Sequence, residues 1–181
     1  MKVEITPSQA KGEISAPPSK SVAHRLLICA ALADGVSIIE NIGTNDDVLA
    51  TVSCLKTLGA GIEITDGVAT VNGIPDGAKK DELSFNCNES GSTLRFLIPL
   101  STLFANECKF TGSGRLMQRP QSVYKDLFEQ KGCYLELKDN ALYTGGRLES
   151  GVFGIPGDVS SQFLTDCCLC YPFLRVIVRL F

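Results

Sequence analysis

Histidine is almost missing from this chain: the 181 residues hold one, His24. A histidine-built metal centre is thereby excluded, and His24 itself reads as a solvated helix residue rather than a ligand or a base. Basic excess is missing too. Against 17 lysines and arginines stand 20 aspartates and glutamates, for a net charge of -3. A binder of the nucleic-acid backbone carries a basic surplus or stripe, so nucleic acid is not an expected partner and any cationic site has to be local. No uninterrupted apolar run reaches bilayer-spanning length, and MKVEITPSQ has no apolar core of signal-peptide length, which points to a cytosolic protein with no membrane partner. The eight cysteines show no metal-ligand rhythm. Cys29, Cys54, Cys87, Cys108 and Cys133 are widely spaced and read as small buried hydrophobes in a reducing compartment, while Cys167, Cys168 and Cys170 crowd one end with no second ligand pair. No metal is expected.

What is present is a globular composition, 44% hydrophobic with balanced charge, at a length that suits one ordinary domain or slightly more. Along the chain, Val3 to Ile5 reads as a short strand and Val22 to Ala33 as a helix that starts at about Lys20. Val36 to Asn41 reads as a strand, and Asp46 and Asp47 open a helix through Leu58 that Gly59 and Gly61 close. Strands follow at Gly61 to Thr65 and Val68 to Asn72, joined by the hairpin turn Asp66-Gly67. The order then recurs: a strand at Leu83 to Asn86, a helix from Ser92 to Phe104, a strand at Cys108 to Thr111, a helix from Gln121 to Lys131. Strands at Tyr134 to Lys138 and Ala141 to Thr144 flank the turn Asp139-Asn140. A period of roughly seventy residues predicts an α/β (α+β) fold of repeated β-α-β-α-β-β units, about two of them plus the start of a third near Gly151.

Four segments carry chemistry. In PPSKSVAHR, Pro17 and Pro18 forbid helix and Ser19 is placed to cap one, so Lys20, Ser21 and Arg25 gather around unpaired first-turn amides. Ser21 and Arg25 are four apart and share a face. NESGSTLR, Asn88 to Arg95, brings Gly91, where backbone can approach a ligand, and the free amides of Ser92 and Thr93 to a second helix start. GSGRLMQRP holds Arg115 and Arg119, whose guanidinium forks match carboxylate and phosphate oxygens. PGDVSSQFLT offers the hydroxyls of Ser160 and Ser161 and the amide of Gln162, neutral partners for a polyhydroxylated ring and its phosphate. Each segment alone is equally a capped helix end or loop with solvated charges.

In this order and at these separations the four segments, with TNDDV at Thr44 to Val48, resemble the 5-enolpyruvylshikimate-3-phosphate synthase (3-phosphoshikimate 1-carboxyvinyltransferase) family over residues 1 to about 165. The resemblance implies the enolpyruvyl transferase fold, two lobes of three repeated units each that close around the substrates. It also implies transfer of the enolpyruvyl group from phosphoenolpyruvate to the 5-hydroxyl of shikimate 3-phosphate, on the route to chorismate and aromatic amino acids. No cofactor is implied, and family members are usually monomeric. By resemblance Lys20 would contact both substrates and assist catalysis, Ser21 and Arg25 would hold shikimate 3-phosphate, and Gly91 and Arg119 would bind phosphoenolpyruvate. Ser160, Ser161 and Gln162 would complete the shikimate phosphate pocket, with Arg95, Arg115 and Asp47 in support. Glu89 stands where many relatives have asparagine. A related transferase acting on a UDP-sugar shares the fold, but SKSxxxR and SSQF favour shikimate phosphate.

Family members run to more than twice this length, so the resemblance makes the chain an N-terminal fragment. Residues 1–18 would be a strand belonging to the second lobe, residues 19–165 a partial first lobe, and residues 166–181 a frameshifted tail. The frameshift reading comes from the codons. After Thr165 the family continues as something like GLLFALPLL, whereas this chain reads DCCLCYPFL. Codons for Asp166 to Pro172 read one base out of phase can encode Gly-Leu-Leu-Phe-Val-Leu-Pro. With half an active site, the expectation for this polypeptide is a catalytically dead lobe with at most weak binding of shikimate 3-phosphate. Unpaired sheet edges and uncovered apolar surface predict poor solubility.

Overall fold

Serine and asparagine caps decide where the helices begin. A computed structural model describes residues 3–180 except Ile5, Ser8, Ala10, Ala78 and Arg175. Helix α1 (Lys20–Leu32) starts directly after Pro17 and Pro18, its first turn closed by the Ser19 hydroxyl accepting from the Val22 amide. In α2 (Asp46–Leu58) the cap is Asn45, the first turn carries Asp46 and Asp47, and Gly59 ends the helix at a φ of 119°, a left-handed conformation that glycine adopts without a Cβ penalty. Ser90 caps α3 (Gly91–Ser101) through the Thr93 amide, and Ser160 caps α5 (Ser161–Leu169) through the Gln162 amide. Helices α4 (Ser122–Gln130) and α6 (Tyr171–Leu174) complete the set, with a 3-10 turn at Leu116–Gln118 ahead of α4.

The strands β1 (Val36–Ile39), β2 (Gly61–Thr65) and β3 (Val68–Asn72) form an antiparallel sheet in the order β1-β3-β2. A second sheet runs β4-β5-β7-β6 from β4 (Lys80–Asn86), β5 (Ala105–Thr111), β6 (Tyr134–Lys138) and β7 (Ala141–Gly145). The order β5-β7-β6 matches β1-β3-β2, and β4 adds a parallel neighbour to β5 across the α3 crossover. Strands β8 (Gly151–Ile155) and β9 (Val176–Leu180) pair in parallel on either side of α5 and α6. Both hairpin turns have positive φ at their two central residues, Asp66 and Gly67, then Asp139 and Asn140, the geometry that matches strand twist.

Helix α3 is the axis of the core. Nine of its eleven residues are buried, all but Ser92 and Arg95, and it packs against α1, α2 and α5. Phe85 and Phe110 stack at 5.0 Å beneath the second sheet, and Tyr124 meets Phe163 edge-on at 4.7 Å. Among the described residues no helix is long and apolar enough to cross a membrane.

Several expectations are corrected. Val3 and Glu4 are not in a strand, and the rest of that expected strand, Ile5, lies outside the described residues; Ile14 ahead of α1 is exposed. Strands β4 and β5 begin three residues earlier than their apolar pattern indicates, because their mutual pairing extends through Lys80 and Ala105. Cys29 is exposed rather than buried, lying on the outer face of α1. His24 is fully buried, not solvated.

Candidate anion-binding site

The first turn of α1 presents its charges as the spacing requires. Arg25 Nη1 donates to the Ser21 hydroxyl at 2.6 Å and to the Ser21 carbonyl at 2.9 Å. Its Nη2 reaches Thr165 Oγ1 on α5 at 3.4 Å, and the guanidinium lies 5.2 Å from the Phe96 ring centroid on α3. Lys20 Nζ donates to Asp47 Oδ2 at 2.5 Å, so the first turn of α2 steadies the cation at the start of α1.

The start of α3 is the second element. Gly91 is buried with the Arg119 guanidinium against it, close enough that a Cβ at position 91 would overlap Nη1. Gln162 bridges α5 to α3: its Oε1 accepts from Arg95 Nη1 at 2.8 Å while its Nε2 donates to Ser92 Oγ at 2.9 Å. Arg95 also sits over the Phe163 ring at 5.2 Å. Three serine-capped helix starts, α1, α3 and α5, are thereby linked by side chains at one place, with Lys20, Arg25 and Arg95 among them. The Thr93 amide, expected to be free, is taken by the Ser90 hydroxyl; the remaining first-turn amides and the fixed cations favour an anion, each helix end contributing on the order of 0.3–1 kcal/mol.

The expected site residues fall into joined groups. Lys20 meets Asp47, Ser21 meets Arg25, Gly91 meets Arg119, and Arg95 meets Gln162. Ser160 spends its hydroxyl on the α5 cap, and Ser161 is exposed at the first position of that helix. Arg115 is exposed at the head of the 3-10 turn, and among the described residues no side-chain hydrogen bond ties it to the others. Glu89 packs against Gly114, where a Cβ would overlap its carboxylate, and so closes the arginine loop onto the turn before α3. Sequence points to Ser92 only through its backbone amide, not its hydroxyl, and does not single out Thr165, Phe96 or Phe163. Ser92, Thr165 and Phe163 sit inside segments that it does single out, whereas Phe96 follows Arg95 and carries no signal of its own.

Behind the site lies a buried imidazole. His24 Nδ1 is 2.7 Å from Thr51 Oγ1, and burial lowers its pKa from 6.5 to about 4, with the Asp47 carboxylate opposing the shift. The ring is therefore neutral at physiological pH. What the arrangement offers chemically is fixed cations, hydroxyls and helix-start amides, groups suited to an anion.

A family model described as EPSP synthase (3-phosphoshikimate 1-carboxyvinyltransferase) matches residues 5–176. Two curated relatives, the 3-phosphoshikimate 1-carboxyvinyltransferases of Clostridium beijerinckii and Clostridium botulinum, are each 42% identical to this chain, covering 95% of it and 41% of their own length. The chain thus spans about two fifths of the length of these relatives. Among solved structures, an EPSP synthase from Acinetobacter baumannii aligns with a TM-score of 0.74 at 22% identity, covering 90% of this chain and 39% of that one. The enolpyruvyl transferase NikO from Streptomyces tendae aligns with a TM-score of 0.54 at 15% identity, covering 88% and 37%. At those identities the structural likeness speaks for the fold.

Proposed function

The chain belongs to the EPSP synthase family, and on that premise we propose that it supplies one wall of a cleft for shikimate 3-phosphate and phosphoenolpyruvate. The reaction served is transfer of the enolpyruvyl group to the 5-hydroxyl of shikimate 3-phosphate with release of phosphate, in the cytoplasm and without a cofactor. The observation that carries this reading is the joining of three serine-capped helices, with Gln162 of α5 tied to Ser92 and Arg95 of α3, and Arg25 of α1 reaching Thr165 of α5, so that Lys20, Arg25 and Arg95 stand around the helix starts.

Two polyanions repel one another, and bringing their reacting atoms together requires fixed cations and amide dipoles in a poorly hydrated cleft. Ser21 and Arg25, with Ser160, Ser161 and Gln162, surround the place proposed for shikimate 3-phosphate. Gly91 and Arg119 form the place proposed for phosphoenolpyruvate, and Lys20 is assigned to both anions. Asp47, Arg95 and Arg115 support these groups. The expected behaviour of this polypeptide by itself is binding of shikimate 3-phosphate without turnover. Calorimetric titration with shikimate 3-phosphate, paired with a phosphate-release assay on both substrates, tests it. Absence of binding removes the reading, and turnover well above background removes the dead-lobe part of it.

Residues 1–18 are assigned to the second lobe, residues 19–165 to the first, and residues 166–181 to translation one base out of frame. Two features support the last assignment. Asp166 is fully buried with one carboxyl oxygen, Oδ1, lacking a partner among the described residues, and Phe173 and Ile177 are exposed. The family match itself runs on to residue 176, so the nucleotide sequence across codon 165 decides. An intact single frame with no shifted family-like continuation removes the idea.

A further inference from the structure

A continuous line of buried polar side chains runs beneath the cationic site. His24 Nδ1 lies 2.7 Å from Thr51 Oγ1, Thr51 Oγ1 lies 2.7 Å from Thr93 Oγ1, and Thr93 Oγ1 lies 2.7 Å from Ser90 Oγ. All four residues are buried to 0% exposure. They come from three helix starts: His24 precedes Arg25 on α1, Thr51 is one turn beyond Asp47 on α2, Ser90 caps α3 and Thr93 follows Ser92. Asp47 joins the line twice. Its carbonyl faces the Thr51 and Thr93 hydroxyls at 3.4 and 3.3 Å, while its carboxylate holds Lys20.

Counting protons gives the line a direction. Each hydroxyl has one hydrogen to give, and His24 Nε2 is buried with no partner among the described residues. An orphaned buried N–H is rarer in proteins than an under-used acceptor, so the imidazole proton belongs on Nδ1. His24 then donates to Thr51, Thr51 to Thr93, and Thr93 to Ser90, whose oxygen also accepts the Thr93 amide. Apolar packing between helices is non-directional, whereas hydrogen bonds have preferred angles and reinforce one another in series.

We propose that Thr51, acting through His24 and Thr93, is a positioning residue that fixes the mutual placement of two helix ends, the one carrying Lys20, Ser21 and Arg25 and the one carrying Gly91, Ser92 and Arg95. Thr51 touches no ligand. The proposal rests on the functional reading above only for the name of the ligand used in the second half of its test.

The test uses the full 181-residue chain labelled with 15N, in which the single histidine makes the imidazole nitrogens unambiguous. The wild type is expected to show the Nδ1–H tautomer; a predominant Nε2–H form overturns the proposal. Thr51→Val keeps the shape and removes the hydroxyl, and Thr51→Ser keeps the hydroxyl. Thr51→Val is expected to move the amide resonances of both Ser21–Val22 and Gly91–Thr93 and the imidazole signature, with Thr51→Ser returning all three toward wild type. Shifts confined to α2, or a serine variant no closer to wild type than the valine variant, overturn it. Should Thr51→Val not fold, Thr93→Val against Thr93→Ser gives the same comparison. In the second half, shikimate 3-phosphate is expected to bind about tenfold more weakly to Thr51→Val than to Thr51→Ser, and equal affinities overturn the proposal. If the wild type binds no shikimate 3-phosphate, the functional reading fails, while the tautomer and amide shifts still decide the role of Thr51.

Discussion

The Cα of Gly91 and the guanidinium of Arg119 occupy adjoining space, so that a Cβ on residue 91 would overlap Arg119 Nη1. The overlapping atom is the far end of a flexible, exposed side chain, and the three nearest atoms beyond the helix's own backbone all belong to that arginine. Gly91→Ala is therefore expected to fold, with stability within about 1 kcal/mol of wild type, the alanine helix preference offsetting the adjustment. Arg119 must swing aside. Binding of phosphoenolpyruvate, measured by calorimetry, is expected to weaken about tenfold, and an unchanged affinity would show that Arg119 does not hold that anion.

Arg95 and Gln162 form a charged hydrogen bond between α3 and α5. Arg95→Ala removes the 2.8 Å hydrogen bond to Gln162 and the guanidinium over Phe163. Hydrogen bonds to charged groups contribute roughly 1.5–3 kcal/mol, and a cation over an aromatic ring at a partly exposed site about 0.5–1. The expected loss in urea unfolding is about 2 kcal/mol. A double-mutant cycle with Gln162→Ala isolates the pair and is expected to give about 1 kcal/mol of coupling. Strict additivity would mean that the bridge holds nothing.

Lys20 and Asp47 pose a different question, since their side chains are 52% and 29% exposed. Ion pairs of that exposure contribute little to stability, about 0–1 kcal/mol. Asp47→Asn should leave the unfolding midpoint nearly unchanged while removing a negative charge beside the anion site. Because Asp47 holds Lys20 in place, inorganic phosphate is expected to bind severalfold more weakly to the variant, and the loss persists near 1 M salt because it comes from the position of Lys20 and not from long-range charge. Tighter binding to the variant at low salt, fading as salt rises, would instead show that Asp47 acts only as a repelling charge beside the site.

Local signals carried much of the fold. Pro18 and Ser19 mark the start of α1, and Asp66-Gly67 and Asp139-Asn140 mark both hairpins, because caps and turns are fixed by a few neighbouring residues. The early residues of β4 and β5 were not legible. Lys80 to Glu82 and Ala105 to Glu107 have no strand-like apolar alternation and are drawn into the sheet by pairing with each other. The site divides the same way. Ser21 and Arg25 meet one helical turn apart, which spacing alone foretells, whereas Arg95 and Gln162 are 67 residues apart and were brought together only by family resemblance. His24 lies on the face of α1 turned to α2 and α3 while apolar Val22, Leu26 and Cys29 take the exposed face, an inversion that no property of its own segment reveals.

Two buried groups make stability depend on pH with opposite signs. Burial raises the Asp166 carboxyl from 3.8 to about 8, with the Tyr124 hydroxyl, which donates to its Oδ2, and then Arg25 and Arg95 pulling the other way. The folded chain keeps a proton that the unfolded chain releases, so this contribution is full below pH 3.8 and is lost as pH rises through 8. His24 is the reverse: its contribution is full above pH 6.5 and is lost as pH falls toward 4. Each slope is about 1.4 kcal/mol per pH unit, so the two cancel between roughly pH 4 and 6.5, and only Asp166 acts from there to about 8. Urea unfolding is expected to show a plateau over pH 4.5–6.5 and a fall of about 2 kcal/mol by pH 8.5. The Cys108 and Cys167 thiols, pushed up by burial to about 11 and about 12, stay protonated throughout that range. Asp166→Asn should abolish the alkaline fall and uncover a loss of stability toward pH 4.5. His24→Gln should do the opposite, leaving a chain that gains stability steadily as pH drops from 8 to 4.5. Wild-type stability that is flat or rising between pH 6.5 and 8.5 would show that Asp166 is ionised in the folded chain.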